Sequence, residues 1–253
     1  MLASDSSGER ESLAKWLWLP EDRPQARLRL YCLPHAGAGA STFAIWARAA
    51  PAEIEIAAIQ LPGRETRADE EPPRRFAPAV QAISRLILLD ERPFALFGQS
   101  VGGKLAVHVA RSLQGGDRRP LHVFVSGTPV VPRERFIHKF EGEHFVRAVS
   151  DRIAPLPVQL TSDPELWSFF ERPLHADIEA HETDEQAPQP LDVAITVFAG
   201  TRDQVVTEAE LVGWQDWSSR PIRYQRVDAD HFSYRTEPRQ YLKAIVGHLA
   251  PPI

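Results

Sequence analysis

The strongest constraint on the fold is a serine that lies between two glycines at the junction of an apolar strand and a helix. Residues Gly98–Gly102 have the sequence Gly-Gln-Ser-Val-Gly, and they follow the apolar run Phe94–Phe97. A helical repeat of apolar residues follows from Leu105 to Leu113. Such a sharp turn holds its serine in a strained conformation, and it needs glycine wherever a Cβ would strike the adjoining strand or helix. The pattern therefore predicts that Ser100 is a nucleophile at the end of a strand.

An aspartate and a histidine follow Ser100 in the chain order of a triad on such a sheet. Asp203 comes just after the predicted strand Val193–Phe198, and His231 comes after the predicted strand Ile222–Val227. One strand and one helix thus separate the acid from the base. The sequence predicts a catalytic triad of Ser100, Asp203 and His231 on an α/β-hydrolase fold.

Other residues compete for two of these roles. Asp203 could merely cap the helix that follows it, in which case Asp228 or Asp230 would orient the base. His35 is a second candidate base, but its position in a loop after an early strand favours a structural hydrogen bond. We retain Asp203 as the acid and His231 as the base.

A loop of small residues is the candidate for half of an oxyanion hole. The predicted strand Leu28–Leu33 is followed by Pro34–Ala40, whose small side chains let the backbone approach a substrate carbonyl. In this fold one donor comes from such a loop and the other from the residue after the nucleophile. The predicted donors are therefore the backbone amides of Ala36 and Val101.

Three segments carry a family resemblance. Leu33–Gly39 is similar to a Phe-Pro-His-Ala-Gly-Gly motif, Gln60–Arg64 contains Leu-Pro-Gly-Arg, and Gly98–Gly103 forms the elbow. From about Trp16 to the end, the chain resembles type II thioesterases, the stand-alone enzymes of polyketide and nonribosomal peptide synthesis. The resemblance implies hydrolysis of acyl groups from the phosphopantetheine arm of carrier proteins, which removes stalled or aberrant groups.

The chain departs from this family at several positions. Gln99 and Val101 replace the usual His and Met of the elbow, and Ala229-Asp230 replaces two glycines before the base. Lys104 also places a positive charge in the first turn of a helix, where it opposes the helix dipole.

The alternation of strands and helices predicts a mostly parallel central sheet flanked by helices. We expect a flexible tail over residues 1–14 and a single domain over residues 15–253. The segment at about 129–190 lacks a predicted strand and holds eight of the 22 prolines, so it predicts a helical lid between the sixth and seventh strands. Its aromatic residues Trp167, Phe169 and Phe170 are candidates for an acyl pocket, although such residues are more often core.

Composition limits the other function classes. A net charge of −5 and a pI near 6.0 argue against nucleic acid as a partner. No apolar run approaches the roughly 18 residues of a membrane span. The first 12 residues lack the apolar core of a signal peptide. Cys32 is the only cysteine, which excludes an intramolecular disulfide. We therefore expect a cytoplasmic monomer without metal or cofactor.

Acidic carrier proteins would require a basic docking surface on this chain. Two clusters of basic residues are candidates, and both could equally be ordinary solvated patches. The first cluster consists of Arg133, Arg135, His138 and Lys139. The second cluster consists of Arg64, Arg67, Arg74 and Arg75.

The triad alone leaves other functions open. The same residues would serve a carboxylesterase or an acyltransferase, or a pathway-specific thioesterase that releases or cyclises a finished product. A catalytically inactive module that binds carrier domains is a further alternative, against which the intact set of Ser, Asp and His argues.

Overall fold

The structure is a computed structural model that describes residues 5–131 and 137–249. Within these residues, one sheet contains seven strands: β1 (Leu17–Trp18), β2 (Leu28–Leu33), β3 (Ile54–Ile59), β4 (Phe94–Gln99), β5 (His122–Ser126), β6 (Ala194–Gly200) and β7 (Arg223–Val227). The α-helices are α1 (Asp5–Ala14), α2 (Ala44–Ala49), α3 (Phe76–Leu88), α4 (Val101–Ser112), α5 (Gly142–Arg152), α6 (Val158–Thr161), α7 (Pro164–Glu182), α8 (Glu208–Leu211) and α9 (Pro238–Leu249). Short 3-10 helices cover Ala40–Phe43, Glu65–Arg67, Ile137–Lys139, Val212–Trp217 and Ser233–Arg235.

The sheet has the strand order β1-β3-β2-β4-β5-β6-β7, and only the β1–β3 pair is antiparallel. Helices α3 and α4 pack on one face, and helices α2 and α9 pack on the other. Every residue of β2, β3, β4 and β5 is buried, as expected for parallel strands covered on both faces. The predicted α/β-hydrolase fold with a mostly parallel sheet is confirmed.

The first residues differ from the predicted flexible tail. Residues Asp5–Ala14 form α1, which contacts α3. Leu13 belongs to the main apolar core and is only 7% exposed, and Glu9 forms an ion pair with Arg85. A tail was expected because the segment is polar, but one buried leucine and the partners on α3 hold it as a helix.

The helical insertion lies between β5 and β6, so it follows the fifth strand and not the sixth as predicted. Within the described residues, only five strands precede it. The part of the chain before β2 forms a single strand, the two-residue β1 at the edge of the sheet. Its long helix α7 begins at Pro164, directly after a capping aspartate. The Asp163 side chain accepts from the amides of Glu165 and Leu166 at 3.0 Å, with Pro164 in the first turn.

The turn between β4 and α4 depends on glycines that bring the helix close to the sheet. A Cβ on Gly98 would lie 2.2 Å from the carbonyl oxygen of Gly102. A Cβ on Gly102 would lie 2.4 Å from the carbonyl oxygens of Leu33 and Pro34. Both contacts involve backbone atoms, which cannot give way. Helix α4 therefore starts directly against the ends of β4 and β2.

We predict that Gly98→Ala lowers the free energy of unfolding by about 3 kcal/mol, because the added methyl group overlaps the backbone of α4. Gly247 in α9 is the matched control, since a Cβ there would meet nothing within 4 Å. Gly247→Ala should instead raise stability by about 0.5 to 1 kcal/mol. Denaturant unfolding of both variants tests this prediction, and equal stabilities would contradict it.

Candidate active site

Ser100 occupies the strained position of the turn. Its backbone angles are φ 55° and ψ −124°, a positive φ that non-glycine residues rarely adopt. Its amide donates to the carbonyl of Ser126 at 2.8 Å, and its carbonyl accepts from Thr128 Oγ1 at 2.7 Å. Bonds to the end of β5 and the residue two beyond it thus fix the serine backbone on both sides.

His231 and Asp203 form a buried hydrogen-bonded pair. His231 Nδ1 lies 2.9 Å from Asp203 Oδ2, and the two side chains are 4% and 5% exposed. The other carboxylate oxygen, Oδ1, accepts from the amides of Val205 at 2.8 Å and Val206 at 3.0 Å. Asp203 therefore caps the turn after β6 and holds the histidine ring at the same time.

The competing acids bind elsewhere. Asp228 has a side chain that is 78% exposed, and it pairs with Arg202 at 2.9 Å. Asp230 accepts from the amide of Phe232 at 2.8 Å. The acid at His231 is therefore Asp203, and the three residues predicted for the triad follow the carboxyl ends of β4, β6 and β7.

Gln99 links the elbow to the loop of His231. Its Nε2 donates to the carbonyl oxygen of His231 at 2.8 Å, although 132 residues separate the two. Gly127 lies alongside with a φ of 53°, and a Cβ there would come within 3.0 Å of His231 Cε1. The sequence showed Gln99 only as a departure from the family, without any sign of its partner.

His35 makes the structural contact that the sequence favoured. Its Nδ1 lies 2.6 Å from the Tyr234 hydroxyl, and the ring of Phe232 packs between His35 and His231 with centroid distances of 5.1 and 5.0 Å. Burial, with a further contribution from His231, lowers the pKa of His35 to about 3. His35 is therefore neutral at physiological pH.

The predicted oxyanion donors lie where helix α4 meets the loop after β2. The close approach of Gly102 to Leu33 and Pro34 joins these two segments. Within the described residues, the amides of Ala36 and Val101 donate to no protein acceptor. An oxyanion donor must be unengaged in this way, and the role of the two amides stays a prediction.

Comparisons with known proteins decide the family. The thioesterase domain family matches residues 28–251. The gramicidin S biosynthesis protein GrsT of Aneurinibacillus migulanus is 33% identical over 228 residues, which cover 86% of this chain and 87% of GrsT. The chain belongs to the thioesterase domain family.

Solved structures agree with this assignment. RedJ, a thioesterase from the prodiginine pathway of Streptomyces coelicolor, matches with a TM-score of 0.79 at 28% identity, covering 90% of this chain and 92% of RedJ. The type II thioesterase BorB from the borrelidin cluster has a TM-score of 0.79 at 25% identity, covering 92% and 96%. The resemblance to type II thioesterases is confirmed.

The lid of this thioesterase has its own small core. Ile137, Phe145, Val149 and Ile178 are buried together, and Trp167 packs against them. Phe169 and Phe170, in contrast, are 60% and 41% exposed. In this conformation they lie on the surface of α7 and not in an enclosed pocket, so their contact with an acyl chain stays a prediction.

The second predicted basic cluster is not a set of free cations. Arg64 and Arg67 are buried, and they pair with Asp177 and Glu70 respectively. Arg74 pairs with Glu179 at 2.8 Å. Arg133 and Arg135 of the first cluster lie outside the described residues. Among the described residues, no helix is both long and apolar enough to cross a membrane.

Two buried histidines predict that the fold loses stability in acid. Burial lowers the pKa of both His35 and His122 from the ordinary value of 6.5 to about 3. Between pH 6.5 and about pH 3, these two histidines bind protons in the unfolded chain but not in the folded chain. The free energy of unfolding therefore falls as the pH decreases through this range, by up to about 1.4 kcal/mol per pH unit for each histidine.

His122 tests this dependence outside the site, where its Nε2 lies 2.8 Å from Thr196 Oγ1. We expect His122→Gln to make the free energy of unfolding less dependent on pH between pH 6.5 and pH 4. Denaturant titrations at several pH values measure the slope. A slope equal to that of the wild type would show that folding does not lower the pKa of His122.

Proposed function

We propose that this thioesterase hydrolyses acyl thioesters from the phosphopantetheine arm of carrier proteins through an acyl-Ser100 intermediate. Its role would be to remove stalled or aberrant acyl groups in polyketide or nonribosomal peptide synthesis. The observation that carries the proposal is the buried 2.9 Å hydrogen bond between His231 and Asp203, next to the strained elbow of Ser100. The family and the relatives from biosynthetic pathways support the substrate class.

In the first step, Ser100 attacks the thioester carbonyl. The Nδ1–H of His231 donates to Asp203, so its Nε2 carries the lone pair that accepts the serine proton. Asp203 stabilises the imidazolium that forms. The amides of Ala36 and Val101 donate to the oxygen of the tetrahedral intermediate, where such preorganised donors are most effective.

In the second step, the intermediate collapses, the carbon–sulfur bond breaks and the phosphopantetheine sulfur leaves as it takes up the proton held by His231, which returns the imidazole to its neutral form. A thiolate requires less help from a general acid than an amine does. His231 then takes a proton from water, which attacks the acyl-serine, and the acid is released as Ser100 regains its proton. The nucleophile, the base, the acid and the oxyanion donors of this scheme are all groups of the protein chain. The proposal therefore includes the expectation that the enzyme needs no metal or cofactor.

Carrier-protein domains are the proposed partners. Names of relatives in gramicidin, prodiginine and borrelidin biosynthesis support this assignment. A monomer in the cytoplasm, without nucleic acid or membrane as a partner, stays a prediction from composition.

We predict that Asp203→Asn lowers kcat by about 10⁴-fold while the protein stays folded, because the histidine loses its orienting acceptor and adopts the wrong tautomer. Asp230→Asn is the matched control, since Asp230 binds the amide of Phe232 and not the base. It should retain most of the activity. Steady-state hydrolysis of an acyl-pantetheine measures both variants, and equal losses would contradict the assignment of the acid.

Substrate class is tested by parallel assays of an acyl-pantetheine thioester and the p-nitrophenyl ester of the same acid. We expect the thioester to have the higher kcat/KM, with free acid as the product, and Ser100→Ala to abolish hydrolysis of both. A higher kcat/KM for the oxygen ester would favour a carboxylesterase. A cyclic product, or transfer to an added alcohol or amine, would favour the cyclising or acyltransferase alternatives.

A further inference from the structure

A buried ion pair joins the lid helix to the segment after β3, and both of its members bind the loop that carries Ala36. Asp177 in α7 accepts from Arg64 twice, at 2.6 Å from Nη1 to Oδ2 and at 3.0 Å from Nη2 to Oδ1. The side chains of Arg64 and Asp177 are 4% and 8% exposed. Asp177 Oδ2 also accepts from the backbone amide of Gly37 at 2.8 Å. The Asp177 carboxylate therefore binds both Arg64 and Gly37, and Gly37 is the residue next to the predicted oxyanion donor Ala36.

Arg64 holds the same loop from its other side. Its Nη1 donates to the carbonyl of Ala38 at 3.1 Å, and its own carbonyl accepts from Gln60 Nε2 at 2.8 Å. Gln60 Oε1 in turn accepts from the amide of Ala40 at 3.2 Å. The loop is thus bound at successive positions by side chains that belong to the segment after β3 and to α7.

The peptide plane that carries the Ala36 amide is fixed by its neighbours. On one side, the ring of His35 is held by Tyr234 at 2.6 Å. On the other side, Gly37 has a φ of 74°, its amide is bound by Asp177, and a Cβ there would lie 3.2 Å from Leu174 Cβ in α7. The lid helix therefore lies directly against the loop, at the residue that follows Ala36.

We propose that Asp177 and Arg64 are positioning residues, which set the Ala36 amide for catalysis so that the lid helix and the oxyanion hole are assembled together. The proposal rests on the proposed function, in which Ala36 donates to the oxyanion. An oxyanion donor contributes only when it is aimed in advance at the position of the developing charge. Disturbing the pair should therefore weaken transition-state binding more than substrate binding.

The chain offers a matched control on the same helix. Glu182 is also buried, and it accepts from the amides of Ile137 at 3.1 Å and His138 at 3.0 Å. It ties α7 to the beginning of the lid without contacting the loop of Ala36. Glu182→Gln thus disturbs a buried carboxylate of α7 to a similar degree but leaves the oxyanion loop in place.

The experiment compares Asp177→Asn with Glu182→Gln in the whole 253-residue chain, using a short acyl-pantetheine thioester. For Asp177→Asn we expect kcat to fall about tenfold, less than the loss of an entire oxyanion donor, while KM changes less than threefold. The affinity for a trifluoromethyl ketone analogue, whose adduct places an oxyanion in the site, should fall in parallel with kcat. The affinity for an amide analogue, which mimics bound substrate, should be unchanged. Glu182→Gln should stay within about threefold of the wild type in kcat.

A second variant separates positioning from folding, because Asp177→Asn leaves Arg64 with a weaker buried partner. Replacing both residues, Arg64→Met together with Asp177→Leu, removes the charges without leaving one unpaired. If thermal unfolding is close to that of the wild type and kcat is low, the pair acts through the loop. Normal kcat in this stable double variant would overturn the proposal, as would equal losses in Asp177→Asn and Glu182→Gln.

Failure of the proposed function gives a different result. In that case the wild type would not hydrolyse the acyl-pantetheine at all. The rate of Ser100 labelling by a fluorophosphonate then tests the positioning, because the phosphoryl oxygen also needs the oxyanion donors. Labelling of Asp177→Asn about tenfold slower than that of Glu182→Gln would support the proposal. Equal labelling rates would overturn it.

Discussion

The close approach of helix α4 to strands β4 and β2 is the constraint on which the site depends. It exists because Gly98 and Gly102 lack side chains, whose Cβ atoms would lie 2.2 to 2.4 Å from backbone oxygens. The same turn holds Ser100 at a φ of 55° and brings the first turn of α4 against the backbone of Leu33 and Pro34. Such strain is retained only where the surrounding structure over-determines it: here the Ser100 amide donates to Ser126 of β5, and the Ser100 carbonyl accepts from the Thr128 hydroxyl.

Buried carboxylates fix the second half of the lid. Asp177 binds Arg64 and the oxyanion loop, Glu182 binds the start of the lid, and Asp184, just after α7, binds His108 at 2.9 Å. Each buried charge costs desolvation free energy, which is offset only because every carboxylate has several donors. Among the described residues, no buried carboxylate anchors the first part of α7, which exposes Leu166, Phe169 and Phe170. Pro173, which cannot donate a backbone hydrogen bond, lies between these two halves.

Much of the fold and of the site could be predicted from local patterns. The elbow, the order of acid and base and the strand ends are properties of short segments, and the Asp203–His231 pair is formed as expected. The two-residue strand β1 was missed because its only signal is pairing with β3. Gln99 and Asp177 were missed as well, since their partners lie 132 and 113 residues away in the chain. No periodicity within a helix or strand indicates which distant backbone group a side chain will meet.

Lys104 illustrates how such distant contacts reverse a local expectation. A positive charge in the first turn of α4 opposes the helix dipole, and its side chain is also almost fully buried. Three contacts of Lys104 Nζ compensate for the burial of the charge and for its position in the helix. It donates to the carbonyl of Val130 at 2.9 Å, it lies 3.4 Å from Asp184 Oδ2, and it lies 4.2 Å from the centre of the Trp217 ring. These partners come from both ends of the lid insertion and from the segment before β7. The charge that weakens α4 as an isolated helix therefore ties the nucleophile's helix to both ends of the lid.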